Sequence, residues 1–326
     1  MRVLVVKTSS MGDLVHTLPA LTDAAHAVPE IQFDWVCEPS FSEIPHWHPQ
    51  VNDVLAIPLR KWRGRLHRLL FSREFQAYKS ALGAKHYDAV IDAQGLMKSA
   101  YLITRFTDGI RHGYAAASAR ERFASLSYQK KHIVSKSLHA ITRNRHLFAM
   151  ALGYPIPVTA ADANLDLGRP IEMCNRLVLI TQTSRAKKCW LESHWRAVIE
   201  DALPEFEDIV LPVGSASEAD HVRRMCADYP VRILAGATLT DVACEIAGSR
   251  GVVAVDTGLA HVTDALGVPL LALYGPTAPG LVGPVGPRSQ ILKSSSRTMR
   301  DVHVDAVMAW VSDLDTGSAE SDLGSS

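Results

Sequence analysis

The hydrophobic positions of the chain fall into short unbroken runs rather than alternating ones. VLVV (3–6), FDWVC (33–37), DAVIDA (88–93), LVLIT (177–181), DIVLPV (208–213), VRIL (231–234), GVVAVD (251–256) and LLALYG (270–275) carry this signature. Strands buried on both faces read this way, because neither face meets water and the period-two signal disappears. Between the runs lie stretches of helical spacing, such as Leu14, Val15 and Leu18 after the first run and Leu259, Val262 and Leu266 after the seventh. Strands alternating with helices predict an α/β fold with parallel sheets. The pattern also restarts: RVLVVKTSSMGD at the N-terminus and RLVLITQTSRAKK at 176–188 each run from a strand into a polar Thr-Ser turn. Two doubly wound, Rossmann-like domains are expected, residues 1–168 and 169–301, divided near Gly168-Arg169-Pro170. They should face each other across a cleft lined by the carboxyl ends of their strands, where ligands of open α/β sheets bind. The proline-rich YPIPV (154–158) is expected to lead the chain out of the first domain. A last amphipathic helix over 302–313 has a possible seat back on that domain, and the small polar residues 314–326 read as a disordered tail.

Composition changes this picture in three ways. A chain of 326 residues exceeds what one hydrophobic core usually supports, and 47% apolar residues can fill two. Five scattered cysteines without a CxxC pair argue against a disulfide framework or a structural zinc site and suggest a reducing cytoplasm. No stretch approaches the roughly 20 apolar residues that span a bilayer. The formal net charge of zero conceals a division: residues 1–150 hold 20 Lys+Arg against 12 Asp+Glu, and the remainder hold 14 against 22. Residues 60–85 contain eight Lys/Arg and a single acid, Glu74. That stretch reads either as a docking face for an anionic partner or as a solvated amphipathic helix pair.

Candidate chemistry sits where strands end. Asp13, in KTSSMGDLVH, stands at a helix start, where an aspartate serves either as an N-cap or as an exposed base taking a proton from an attacking hydroxyl. In TQTSRAKKCW (181–190), Thr183 and Ser184 offer hydroxyl and backbone donors beside Lys187 and Lys188, a mixture suited to phosphate oxygens. GVVAVDTGLAHVTDALGVP (251–269) is the strongest local phosphate signal: the strand ends at Asp256, Thr257-Gly258 turns, and the helix N-terminus opens its amides to an anion. His261 reads as a hydrogen-bonding histidine rather than a metal ligand, since no further ligands accompany it. Glu218, past VLPVGSASEAD, is either a helix-start acid or a clasp for ribose hydroxyls. Neither Walker A nor GxGxxG is present, which removes support for P-loop hydrolysis and dinucleotide binding.

Together KTSSMGDLVHTLPAL, DAVIDAQGLMKSA, TSRAKKCW and VDTGLAHVTDALGVPLLALYGPTAPGL resemble the lipopolysaccharide heptosyltransferase I family, within glycosyltransferase family nine. The resemblance covers nearly the whole chain, stopping before the polar tail. It implies a GT-B fold and transfer of L-glycero-D-manno-heptose from ADP-heptose to Kdo of Kdo2-lipid A, with inversion and without a cofactor or essential metal. It implies Asp13 as general base and Lys188 near the donor diphosphate. Thr183, Ser184, Thr257 and Gly258 would hold phosphate oxygens, with Leu259 and Ala260 in the same donor-binding helix start. Glu218 would take the adenosine ribose, and Asp256 with His261 the heptose. Ser10, Gly12, Arg60, Lys61, Arg63 and Arg120 would form the acceptor side. A peripheral enzyme on the cytoplasmic face of the inner membrane follows, with no nucleic-acid partner. Thr181 stands where the family often has a histidine, and Leu191 where it has proline. Rival readings are heptosyltransferase II or III, a nucleotide-sugar epimerase of the same architecture, and a non-catalytic binding module.

Overall fold

The computed structural model describes residues 1–62 and 72–314. It divides into two compact units between Asp166 and Leu167. The first holds β1 (Arg2–Val6), β2 (Gln32–Cys37), β3 (Val51–Ala56), β4 (His86–Asp92), β5 (Asp108–Tyr114) and β6 (Lys130–His132) in one sheet of order β3-β2-β1-β4-β5-β6. The second holds β7 (Arg176–Ile180), β8 (Asp208–Val213), β9 (Arg232–Ala235), β10 (Gly251–Val255), β11 (Leu270–Tyr274) and β12 (Ser289–Lys293), ordered β12-β11-β10-β7-β8-β9. Every pairing is parallel. Read from its other edge, the second sheet repeats the first, which is the structural content of the restarted sequence pattern.

The apolar runs occupy the middle of each sheet. Val3, Leu4, Val5 and Val6 of β1, and Val252, Val253, Ala254 and Val255 of β10, are fully buried. Helices cover the faces, among them α1 (Met11–Val15), α2 (Leu18–Ala27), α3 (Glu43–His46), α4 (Leu59–Trp62), α5 (Arg73–Gly83), α6 (Met97–Leu102) and α7 (Ala140–Leu152) in the first unit. The second unit has α8 (Glu192–Ala202), α9 (Ala216–Met225), α10 (Leu239–Ala247), α11 (Gly258–Ala265) and α12 (Val304–Asp313). Strands β3, β5, β6 and β12 have no counterpart among the eight apolar runs. Three of them form sheet edges, where one side meets water and the sequence is correspondingly polar: VNDVLA, KKH and SQILK.

Two sequence expectations differ from the structure. The chain does not leave the first unit at YPIPV. Arg145 clamps Asp23 with Nε and Nη2 at 2.6 and 2.9 Å and donates from Nη1 to the Thr159 carbonyl at 2.9 Å, and the Asp166 amide donates to the Trp47 carbonyl at 2.7 Å. These bonds hold residues beyond the prolines on the first unit. The terminal helix α12 seats in the second unit, because Val307, Trp310 and Val311 complete the core built by Trp195, Val198 and Ile199 of α8. The expected disordered tail begins at 314; Leu314 packs against this core, and 315–326 lie outside the described residues.

The carboxyl end of β4 carries a buried hub. Asp92 Oδ1 accepts from the amides of Gln94 and Gly95 and from Ser99 Oγ, at 3.0, 3.1 and 3.1 Å. Its Oδ2 accepts from Thr104 Oγ1 and the Tyr128 hydroxyl at 3.1 and 2.9 Å. Burial pushes the Asp92 carboxyl above its ordinary range, and these donors oppose the shift without cancelling it. Gly113 makes room for the arrangement, since a Cβ there would run into the Tyr128 ring. Asp92→Ala is expected to lower the urea-unfolding free energy by about 3–5 kcal/mol, because it strands several buried donors. A loss below about 1 kcal/mol would show that the hub does not hold this edge of the sheet.

Candidate active site

In each unit the strand order reverses beside the first strand of the repeat, and the loops on either side diverge there to leave a crevice. In the first unit the reversal lies between β1 and β4, whose ends are in register at Val6 and Asp92. The loop after β4 grips the loop after β1. Lys7 Nζ donates to the Ala93 carbonyl at 2.9 Å, and Gln94 Oε1 accepts from the amides of Thr8 and Ser9 at 2.8 and 3.3 Å. Lys7, Thr8 and Gln94 are buried, so the segment entering α1 is fixed from below.

Asp13 is not the N-cap of α1. That position belongs to Ser10, and Asp13 sits three residues on, where its Oδ2 accepts from the Ser10 amide at 2.9 Å and the Ser10 hydroxyl at 3.1 Å. Its Oδ1 lies 3.9 Å from Lys7 Nζ, and the side chain retains 32% exposure. One oxygen therefore closes the turn while the carboxylate stays reachable from solvent. Gly12 is buried inside the turn and Ser10 is exposed at its mouth. Burial pulls the Lys7 ammonium below its usual range; Asp13 and Asp92 push it back up, and Arg143 and Arg120 push it down again. Arg120 thus belongs to the same electrostatic neighbourhood, in the loop after β5. Arg143 enters it from α7, its guanidinium 4.9 Å from the Tyr114 ring centre and its Nη2 donating to the Ser118 carbonyl at 2.7 Å.

Arg60 and Lys61 follow β3, two strands along the sheet from β1. The Arg60 guanidinium lies 5.3 Å from the Phe41 ring centre, and its amide donates to Glu38 Oε1 at 3.0 Å. Lys61 pairs with Glu74 at 3.7 Å, both exposed, a contact of little energetic weight. Arg63 lies outside the described residues.

In the second unit the reversal lies between β7 and β10. Three of the expected donor residues meet there through direct bonds. Lys188 Nζ is 2.5 Å from Asp256 Oδ2, and Thr183 Oγ1 donates to the Asp256 carbonyl at 3.1 Å. Lys188 turns inward at 15% exposure, whereas Lys187 points to solvent, so the short turn at Ala186–Lys188 separates the two adjacent lysines. Thr277 Oγ1 donates to the same Asp256 oxygen at 2.5 Å. Thr257 is the N-cap of α11 and makes no side-chain cap bond, and Gly258 and Leu259 follow it at the helix start. This places a hydroxyl and helix-end amides beside the Lys188 ammonium, the combination that binds phosphate. Ala260 and His261 are buried in the same helix.

Glu218 and Ser184 stand further out. Ser184 is exposed. Glu218 closes its own turn: its Oε2 accepts from the Gly214 amide at 2.7 Å, while its amide donates to Ser215 Oγ, the N-cap of α9, at 3.2 Å. Burial pushes the Cys189 thiol up, and the Glu218 charge adds to that shift. Among the described residues no group of three or more His, Cys, Asp or Glu is placed to hold a metal ion. The residues that sequence reasoning missed are Lys7, Gln94, Arg143 and Thr277. Lys7, Gln94 and Thr277 carried a signal, being polar residues just past buried strands inside motifs already singled out. Arg143 is tied to the site only through the fold.

The family profile described as Glycosyltransferase family 9 (heptosyltransferase) matches residues 75–310. Lipopolysaccharide heptosyltransferase 1 of Escherichia coli (strain K12) is 42% identical over 319 residues, covering 96% of this chain and 100% of the relative. The solved structure "E. coli heptosyltransferase WaaC with ADP" superposes with a TM-score of 0.90 at 42% identity, over 96% of this chain and 100% of that one. The corresponding structure "with ADP-2-deoxy-2-fluoro heptose" gives 0.88 at 41% identity, over 96% and 99%. With the family profile matching most of its length, a relative 42% identical across it and paired Rossmann-like units, the chain belongs to glycosyltransferase family 9, the heptosyltransferases, and is a glycosyltransferase.

Proposed function

We propose that this enzyme moves L-glycero-D-manno-heptose from ADP-heptose to a Kdo residue of Kdo2-lipid A in lipopolysaccharide core synthesis, inverting the anomeric carbon. The observation that carries the reading is the 42% identity, over nearly the full length of both chains, to a relative named lipopolysaccharide heptosyltransferase 1. The solved structures of a similar protein with ADP and with a fluorinated ADP-heptose support the donor. The second unit then binds the donor and the first the acceptor.

The chemistry follows from the two crevices. As the acceptor hydroxyl attacks the anomeric carbon, Asp13 takes its proton; the bond from that carbon to the diphosphate oxygen breaks, and ADP leaves with the electron pair. Negative charge grows on the departing diphosphate, where the Lys188 ammonium and the start of α11 stabilise it. The donor phosphates compete with Asp256 for Lys188. Once Lys188 turns to phosphate, Asp256 and Thr277 remain to orient the heptose, with His261 behind them. Glu218 takes the ribose hydroxyls. Arg60, Lys61, Arg63 and Arg120 attract the carboxylates and phosphates of the acceptor, and the same positive charge favours peripheral docking on the cytoplasmic face of the inner membrane. No described helix is long and apolar enough to cross a membrane. No step requires a metal or cofactor.

The direct assay incubates the purified protein with ADP-heptose and delipidated Kdo2-lipid A, with and without EDTA, and follows ADP release and product mass. One heptose added, insensitive to EDTA, is expected. Turnover only on an already heptosylated core would assign a sister heptosyltransferase, sugar-nucleotide conversion without acceptor an epimerase, and binding without ADP release a non-catalytic module. Asp13→Asn is expected to keep ADP-heptose affinity within about threefold and to lower kcat by about 10²–10⁴, the usual contribution of a general base; equal turnover removes Asp13 from that role. Lys188→Met is expected to lower kcat about 10²–10³-fold, as loss of an oxyanion-stabilising group does, with weaker ADP binding by calorimetry. Unchanged ADP binding and turnover would free Lys188 of any part. Replacing Arg60 and Arg63 together by alanine should raise acceptor KM more than donor KM, and the reverse pattern would put the acceptor elsewhere.

A further inference from the structure

Lys7 is a buried lysine with no part in the reaction as described above. A lysine is almost never fully buried unless something pairs with its charge. Its Nζ donates to the Ala93 carbonyl at 2.9 Å and lies 3.9 Å from Asp13 Oδ1. The first contact is a hydrogen bond that ties the end of β1 to the end of β4. The second is too long for a hydrogen bond and acts through charge. Its partner is the Asp13 oxygen left over once Ser10 has occupied the other.

We infer that Lys7 is a positioning residue for Asp13: its ammonium, anchored on the Ala93 carbonyl, supplies the counter-charge that fixes the free carboxylate oxygen for proton transfer. The inference rests on Asp13 acting as the base. With Lys7 buried and Asp13 half-buried, the pair is screened less than one wholly in solvent, so the charge has leverage here. The surroundings are specific. Asp92 at the end of β4 adds negative charge, while Arg143 from α7 and Arg120 from the loop after β5 add positive charge. Burial and these two arginines outweigh the two carboxylates and draw the Lys7 pKa below that of an ordinary lysine. Lys7 is charged below that pKa and neutral above it, so Asp13 loses its counter-charge as pH rises through it. A lysine serving only to join two strands would give turnover no such dependence.

The test uses the full-length enzyme with Lys7→Met, Lys7→Arg, Asp13→Asn and the double variant Lys7→Met/Asp13→Asn, read by kcat, by ADP affinity in calorimetry and by thermal melting. Lys7→Met is expected to lose about 10- to 100-fold in kcat with ADP affinity within about threefold of wild type, as expected for an interaction acting in the chemical step. In the Asp13→Asn background the same substitution should cost less than about threefold, because Lys7 acts through Asp13. Lys7→Arg keeps its charge at every working pH, so the alkaline fall in kcat expected of wild type should move to higher pH. Wild-type turnover in Lys7→Met, or an equal loss in both backgrounds, overturns the inference. An alkaline limb in Lys7→Arg coincident with wild type does so too, and this arm decides alone if Lys7→Met fails to melt cooperatively. If Asp13→Asn itself turns over normally, the base reading falls and this inference with it; if only Lys7→Met is silent, the base reading stands and Lys7 is structural.

Discussion

The register of β1 against β4, and of β7 against β10, is the constraint on which the rest of the molecule depends. Parallel strands share one carboxyl edge, so every connecting loop that follows a strand emerges on the same side of its sheet. At the centre of each sheet the crossovers run off in opposite directions, and the loops part. Asp13 and Gln94 flank one such parting; Lys188 and Asp256 flank the other. A one-residue slip in either central pairing would turn the Val6 end away from Asp92, or Ile180 away from Ala254, and scatter the side chains that meet there. Uniformly apolar runs do not by themselves oppose that slip; in the first unit the polar bonds at the strand ends do, from Lys7 to the Ala93 carbonyl and from the Thr8 amide to Gln94.

Charge buried at these two partings is expensive unless matched, and the matches explain the local geometry. Lys188 is opposed by Asp256, which also accepts from Thr277. Lys7 is opposed by Asp13 and anchored on Ala93. In the first unit the Asp92 hub shapes the 94–95 turn, the turn presents Gln94, and Gln94 holds the backbone that leads into Asp13. The hierarchy runs from a buried carboxylate to a loop conformation to the position of Asp13. In the second unit one aspartate plays the matching part: Asp256 holds Lys188 and Thr277 through its carboxylate and Thr183 through its carbonyl. Removing Asp256 or Asp13 leaves Lys188 or Lys7 as a largely buried charge without its carboxylate, one pair closing over 68 residues of sequence and the other within a single turn.

Much of this was legible in the chain, for identifiable reasons. Runs such as VLVV and GVVAVD announce doubly covered parallel strands because burial on both faces erases alternation. The recurrence of a strand followed by Thr-Ser announces the duplication. Asp13, Lys188 and the Thr257-Gly258 turn stand directly after such runs, where position alone marks them. Edge strands β3, β6 and β12 were not legible, since water on one side admits lysine, aspartate and glutamine and dilutes the pattern. Gln94, Arg143 and Thr277 act on partners 86, 25 and 21 residues away, respectively Thr8, Ser118 and Asp256, and sequence spacing carries no trace of contacts closed only by the sheet. The destination of the C-terminal helix was hidden for the same reason: an amphipathic face shows that it packs, and only the second unit's Trp195, Val198 and Ile199 show where.

We propose that the β7/β10 parting is a diphosphate site held closed by its own carboxylate until the donor arrives. The most direct measurement is a crystal structure of this enzyme with ADP. The diphosphate is expected within hydrogen-bond distance of Lys188 Nζ and of the amides at Gly258 and Leu259, with the Lys188–Asp256 contact lengthened or broken and the ribose hydroxyls on Glu218. A diphosphate bound away from residues 256–259, with Lys188 still closed on Asp256, would contradict it.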